Sequence, residues 1–217
     1  MKTKKLLIAL IIIIALCFAV GELTDRSREA RTDLAWELIL VNDDNLIPED
    51  YEINLLTLSN GQQVDERIYP SLQKMFDDMR KEGHRPLVVS GYRSEAEQKA
   101  ILKEKVKAFE ADGYPKLAAE IQALKWVAKP GTSEHQLGLA VDINPDYTVT
   151  KGWGFYAWLE ENSYKYGFVK RYPADKTDIT GISNENWHFR YVGLDAAEAM
   201  YEENLCLEEY IEKISNS

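Results

Sequence analysis

Cysteine is almost absent from this chain, with Cys17 and Cys206 the only two among 217 residues. Cys17 falls inside an apolar N-terminal run, so Cys206 has no partner in the body of the chain and no disulfide framework can hold the fold. Positive charge is also in deficit, with 26 Lys and Arg against 36 Asp and Glu and a formal net charge of −10. Phosphate binding needs a basic footprint, so nucleic acid is excluded as a partner. Internal repeats and low-complexity tracts are missing, and a hydrophobic content of 45% excludes general disorder. The length suits one medium domain with appendages and is too small for two full enzyme domains. Histidine is scarce as well, with three in the chain, which sharpens the question of what each one does.

What is present begins with a leader. Met1 to Lys5 is basic, and Leu6 to Val20 carries no charge or strongly polar group before Gly21. A basic stretch followed by an apolar one reads as a secretory segment, somewhat short of the about 20 residues of an unaided span. The chain is therefore expected to be exported. The Ile-rich run favours retention as an uncleaved anchor, whereas Ala19 and Gly21 would suit cleavage and a secreted product. Leu16 before Cys17 argues against a lipoprotein. The expected division is a signal peptide or signal anchor at 1–21, a spacer helix at 22–42 and a folded domain at 43–217. Because the body is acidic, attraction to anionic wall polymers is disfavoured, and membrane tethering by the leader would keep the protein near its substrate. Nothing in the sequence calls for an oligomer, and a monomer is the default.

Asn42 to Tyr51 clusters Asn, Asp and Pro, the chemistry of turns, and marks the domain edge. Ile68 to Glu82 spaces Tyr69, Leu72, Met75, Phe76 and Met79 as one helical face, with Gly83 placed as a C-terminal cap. Pro86 to Gly91 predicts a buried strand. Ser94 with Glu97 is a capping-box pattern that starts a helix running towards Gly113, and a further helix is expected from Pro115 to Pro130. LGLAVDI predicts a strand, Gly152 to Tyr166 a Trp- and Tyr-rich helix, FVKRY and WHFRYV short strands, and Leu194 to Ile214 an acidic closing helix. Trp153, Trp158 and Trp187 stand in apolar segments and are expected in packing. Helices and short strands without a regular βαβ beat predict an α+β fold, a small antiparallel sheet flanked by helices.

His84 stands at a helix end beside Gly83, where capping or exposure explains it. His135 lies seven residues before Asp142, which interrupts an otherwise apolar strand. A lone buried carboxylate is costly, so Asp142 needs a partner, and a cation is the natural one. His188 lies in an aromatic strand, with Glu185 three residues earlier. Two His and one Asp are the number and type of ligands that a catalytic zinc site uses, with a fourth position left for water. Bound zinc lowers the pKa of such a water towards about 7, and a nearby carboxylate such as Glu185 must still take the proton. An i, i+3 pair on a regular strand points to opposite faces, so this reading requires a turn around Asn184 to Asn186. The competing reading is a core histidine and a salt-bridged aspartate. Arg93, beside the capped helix start, is suited to pairing with a carboxylate or oxyanion, or is a surface loop residue. For Ser133 turn hydrogen bonding, for Gln98 helix surface and for Tyr92 core packing are the plainer alternatives.

Three ordered segments, SGYRSEAEQ, SEHQLGLAVDI and ENWHFRYVG, resemble the VanY-type D-alanyl-D-alanine carboxypeptidases. These belong to the LAS group of zinc peptidases, related to VanX dipeptidases and the hedgehog domain, and the similarity spans roughly residues 38 to 195. The resemblance implies one Zn2+ per chain held by His135, Asp142 and His188, with Glu185 as catalytic base. It further implies that Arg93 faces the developing negative charge of the substrate, that Ser133 and Gln98 hold substrate polar groups, and that Tyr92 lines the pocket. The expected activity is removal of the C-terminal D-alanine from a peptidoglycan stem peptide ending in D-Ala-D-Ala. Rival readings are an L,D-carboxypeptidase or a D-Ala-D-Ala dipeptidase on the same site, or a wall-binding module with structural zinc. The resemblance is compatible with a role in vancomycin-type resistance, although many relatives serve ordinary wall metabolism.

Overall fold

The computed structural model describes residues 34–216. The leader at 1–21 and the first part of the expected spacer, 22–33, lie outside the described residues. None of the described helices is long and apolar enough to cross a membrane.

A hairpin pairs β1 (Leu55–Thr57) with β2 (Gln63–Asp65) in antiparallel register. Next come α1 (Tyr69–Lys81), β3 (Pro86–Ser90), α2 (Glu95–Ala111) and α3 (Lys116–Ala123). A short 3-10 turn, Glu134–Leu137, leads into β4 (Ala140–Pro145). They are followed by α4 (Phe155–Asn162), β5 (Phe168–Lys170), α5 (Thr177–Thr180), β6 (His188–Tyr191), α6 (Leu194–Glu203) and α7 (Leu207–Ser215). The main sheet has the order β3-β4-β6-β5, antiparallel throughout. This is the expected α+β architecture with a small antiparallel sheet.

Local sequence explains most of these elements. In α1 the buried residues Leu72, Met75, Phe76 and Met79 lie on one helical face and belong to the same core cluster as Val141 and Ile143 of β4. Ser94 and Glu97 form a reciprocal capping box on α2, satisfying backbone donors that the first turn leaves free. A second apolar cluster joins Val169 and Val192 to Ala197, Met200, Leu207 and Ile211. Cys206 is buried at the N-terminus of α7, where its backbone N–H donates to Glu209 Oε2.

The structure corrects several expectations. The part of the spacer that is described is not a helix beyond the 3-10 turn Trp36–Leu38, and Ile39 and Val41 are buried in the main core. The domain therefore begins before Asn42, because this apolar stretch is needed to close the core. The β1–β2 hairpin was not anticipated, since its strands are three residues long and too short to show alternation. Helix α3 stops at Ala123, short of Pro130. The closing helix is two helices, broken where Asn204 takes φ of +51°, a left-handed conformation that asparagine tolerates. Trp158 packs in the core as expected, whereas Trp153 is 83% exposed. His84 is partly buried, with its ring edge-on to Phe155.

Beneath the sheet lies a buried ionic network. Arg190 and Arg171 are both 1% exposed or less, and both donate to Glu134 Oε1, at 3.0 and 2.8 Å. Arg171 also makes two bonds to Glu208, and Arg190 donates to the carbonyls of Glu37 and Ile39. Buried charge is tolerated only when it is paired and hydrogen-bonded, as here. Arg190 thereby ties the N-terminal segment to the sheet. Replacing it in Arg190→Met leaves two buried carbonyls and part of a carboxylate unsatisfied. The expected loss is about 3–5 kcal/mol of folding stability, read by urea denaturation; a loss below about 1 kcal/mol would mean that the network contributes little.

Candidate metal centre

Strand pairing builds the site. Across the main sheet Ser90 pairs with Asp142, and Asp142 pairs with His188, so three side chains stand in one row on one face. Directly opposed residues on antiparallel strands hold their side chains about 5 Å apart, which sets Asp142 beside His188. Since strand neighbours alternate, Val141 and Ile143 turn to the core while Asp142 turns to the other face. His135 arrives from the 3-10 turn before β4. Gly138 ends that turn at φ +68°, a left-handed conformation that strains residues with a side chain, so the fold-back favours glycine.

The three groups converge. His135 Nε2 and His188 Nδ1 each lie 3.3 Å from Asp142 Oδ1, and the ligand-capable atoms of all three residues lie within 4.8 Å of one another. Asp142 Oδ1 is buried and lacks a hydrogen-bond donor, a defect that a cation between the imidazoles would remove. The opposite carboxylate oxygen is taken by Arg93 Nη2 at 2.6 Å. His135 Nδ1 lies 2.7 Å from the Gly91 carbonyl, which can only accept, so the proton sits there and Nε2 keeps its lone pair. Gly91 cannot be enlarged, because an added Cβ would stand 2.1 Å from Gln63 O.

His188 is oriented in the same way by a different partner. Its Nε2 faces Glu134 Oε2 at 3.6 Å, and both atoms are buried without other partners. A carboxylate can only accept, so Nε2 carries the proton and Nδ1 faces Asp142. Burial pushes Glu134 towards the neutral acid, but Arg171 and Arg190 outweigh it and hold the carboxyl well below its usual range. Burial likewise raises the Asp142 carboxyl, and the two histidines more than reverse this. Burial lowers the His188 pKa, yet Asp142 and Glu134 outweigh it and raise the ring to about 9. The pocket thus demands a positive charge, and the two imidazoles with one carboxylate are a donor set suited to zinc.

Glu185 stands over the end of β6, with Oε2 3.5 Å from His188 Nδ1 and its backbone N–H on the Tyr172 carbonyl. The bend at Asn186 and Trp187 supplies the turn that the i, i+3 spacing needed. Glu185 is 6% exposed, and burial lifts its pKa to about 7. A cavity of about 490 Å³ opens on the cluster and is lined also by Arg93, Gln98, Ser133, Tyr172 and Trp187. The cluster holds three ligand side chains among the described residues, and it opens on this cavity. That is the open arrangement of catalytic rather than structural zinc.

A family model described as VanY, D-alanyl-D-alanine carboxypeptidase, matches residues 61–194. The chain belongs to the VanY family. A D-alanyl-D-alanine carboxypeptidase of Enterococcus faecalis (strain ATCC 700802 / V583) is 53% identical over 185 residues, covering 85% of this chain and 69% of the relative. A solved mutant VanY from a VanB-type resistance cassette, in complex with Zn(II), is 55% identical with a TM-score of 0.80, over 82% of this chain and 99% of that one. VanYB in complex with D-alanine-D-alanine is 54% identical with the same TM-score of 0.80, over 82% of this chain and 98% of the other.

Within this VanY-family fold, His135, Asp142, His188 and Glu185 come together as the sequence suggested, and Ser133 and Arg93 line the cavity. Gln98 lines it too, but both ends of its amide are engaged, with Nε2 on Ala128 O and Oε1 on Arg93 Nη1. Tyr92 is not on the lining. It follows the end of β3, half-buried, with its backbone N–H bonded to Gln63 O. Sequence reasoning missed Tyr172, whose ring lies 4.8 Å from that of His188, and Glu134. Adjacency of Glu134 to His135 was the available signal. Glu134→Gln is expected to weaken zinc binding by about 10–100-fold while keeping a native circular dichroism spectrum, measured by competition with a chromophoric chelator. An unchanged affinity would show that this carboxylate does not orient His188.

Proposed function

We propose that this chain is an exported zinc D,D-carboxypeptidase that releases the terminal D-alanine from peptidoglycan stem peptides ending in D-Ala-D-Ala. The observation that carries the reading is the convergence of His135, Asp142 and His188 on one orphaned carboxylate oxygen, with Glu185 beside them at the mouth of a cavity. Family membership and the D-alanine-D-alanine complex of a 54% identical relative support the substrate.

Zinc, when bound by these three side chains, supplies a Lewis acid for the scissile carbonyl and makes water acidic enough to deprotonate near neutral pH. Glu185 accepts the proton of the attacking water and delivers it to the departing amine of D-alanine. With its pKa lifted by burial to about 7, Glu185 can hold and release that proton near neutrality. Arg93 presents its guanidinium to the charge that develops on the carbonyl oxygen. Its position is fixed by bonds to Asp142, to Ser90 Oγ at 2.8 Å and to Gln98, so little reorganisation is needed. Ser133, buried on the cavity wall, is placed to bond the peptide backbone.

Glu185→Ala is expected to retain zinc and lose turnover by at least about a hundredfold, whereas His188→Ala should lose the metal as well. Metal content beside activity on a D-Ala-D-Ala peptide reads both. Substantial activity in Glu185→Ala would remove Glu185 from its role. Mass spectrometry after incubation should show alanine lost from a pentapeptide stem and none from a tetrapeptide; the reverse result would assign an L,D-carboxypeptidase.

Location follows from the leader, whose basic start and apolar run favour retention in the membrane with the domain outside. Fractionation of cells expressing the full-length chain should recover it with membranes. Recovery only from the medium would indicate cleavage and secretion.

A further inference from the structure

The cavity at the metal centre extends from the His135, Asp142 and His188 cluster along helix α2. Helix α2 lays Gln98, Ile101, Lys105 and Ala108 along its wall, spaced at three or four residues and so on one helical face. From Gln98, which touches Arg93, to Lys105 the helix rises about 10 Å. An extended peptide advances about 3.3–3.6 Å per residue, so this arm is about three residues long. A carboxypeptidase has a single residue on the leaving side of the bond. The long arm therefore holds the part of the peptide that precedes it.

The arm carries one unclaimed charge. Of the two cations on the lining, Arg93 is paired with Asp142, whereas Lys105 makes no ion pair among the described residues. Lys105 is partly buried, with Nζ 5.0 Å from the centroid of the Trp126 ring and 5.6 Å from that of Phe109. Glu104, the adjacent acid on the lining, is exposed and forms no ion pair with it. A cation held between aromatic rings at the side of a groove is pre-positioned for an anion on the ligand.

We infer that Lys105, backed by Trp126, is a specificity residue that pairs with a carboxylate on one of the two stem residues preceding D-Ala-D-Ala. The inference rests on the carboxypeptidase reading above. The enzyme then distinguishes stems whose carboxylates are free from stems in which they are carboxamides.

Three peptides test this on the zinc-loaded protein. They are N-acetyl-D-Ala-D-Ala, a pentapeptide with free carboxylates on its second and third residues, and the same pentapeptide with both as carboxamides. Wild type is expected to favour the acid over the amide by about twofold to fivefold in kcat/KM, chiefly through KM. Lys105→Met should bring that ratio close to one, and Lys105→Arg should keep most of it. The charge of Lys105 is also felt at Glu185, but an effect through the base changes both pentapeptides alike and cancels in the ratio. No acid preference in wild type, or a preference that survives Lys105→Met, overturns the subsite. Failure of wild type to release D-alanine from all three peptides, N-acetyl-D-Ala-D-Ala included, overturns the carboxypeptidase reading and the subsite with it.

Discussion

One carboxylate, Asp142, imposes the requirement that the rest of the structure meets. It stands on an inner strand of a small sheet, almost wholly removed from water, with one oxygen on Arg93 and the other without a donor among the described residues. An ionised group in that position is tolerated only with positive charge around it. Antiparallel pairing puts His188 directly across from it, and the glycine-terminated turn before β4 folds His135 back on to it. A shift of one residue in that pairing would turn either side chain to the opposite face and dismantle the centre. The metal site is therefore a property of hydrogen-bond register before it is a property of any loop.

The groups around the ligands are held by charges that belong to the fold. Glu134 is fixed by Arg171 and Arg190, and those arginines are fixed in turn by Glu208 and by backbone carbonyls of the N-terminal segment. Consequently a residue chosen to orient His188 is also part of what closes the core. The same economy governs Gly91, whose carbonyl takes the proton of His135 while its lack of a side chain lets the β1–β2 hairpin approach. Stability and catalysis share these contacts, so substitutions in this network are expected to affect both.

Beyond the ligands, division of labour follows the two walls of the cavity. One wall, with Arg93, Ser133 and Glu185, concentrates charge and hydrogen-bonding groups around the bond to be broken. The other, along α2, is a helical stripe whose cation, Lys105, makes no ion pair among the described residues. The two walls meet at Gln98, which α2 contributes and which bonds Arg93.

By itself the sequence singled out the candidate ligands and base, with a core histidine and a salt-bridged aspartate as the competing reading until the resemblance to the VanY-type carboxypeptidases is added. His135, Asp142, His188 and Glu185 stood out because a carboxylate amid apolar strand residues and two of three histidines near acids are anomalies that need a reason. Helix α1, the capping box of α2 and strand β4 were legible for a similar cause, since periodicity and caps are encoded within a few neighbouring residues. The hairpin, the break at Asn204, the absence of Tyr92 from the cavity lining and the surroundings of Glu134, Arg190, Tyr172 and Lys105 were decided only by the tertiary structure. Each of these depends on a partner that is remote in the chain or on conformations that several residue types can adopt. Pairing register and side-chain packing, which bring Glu134 to Arg190 and Lys105 to Trp126, leave no periodic trace in one strand or helix taken alone.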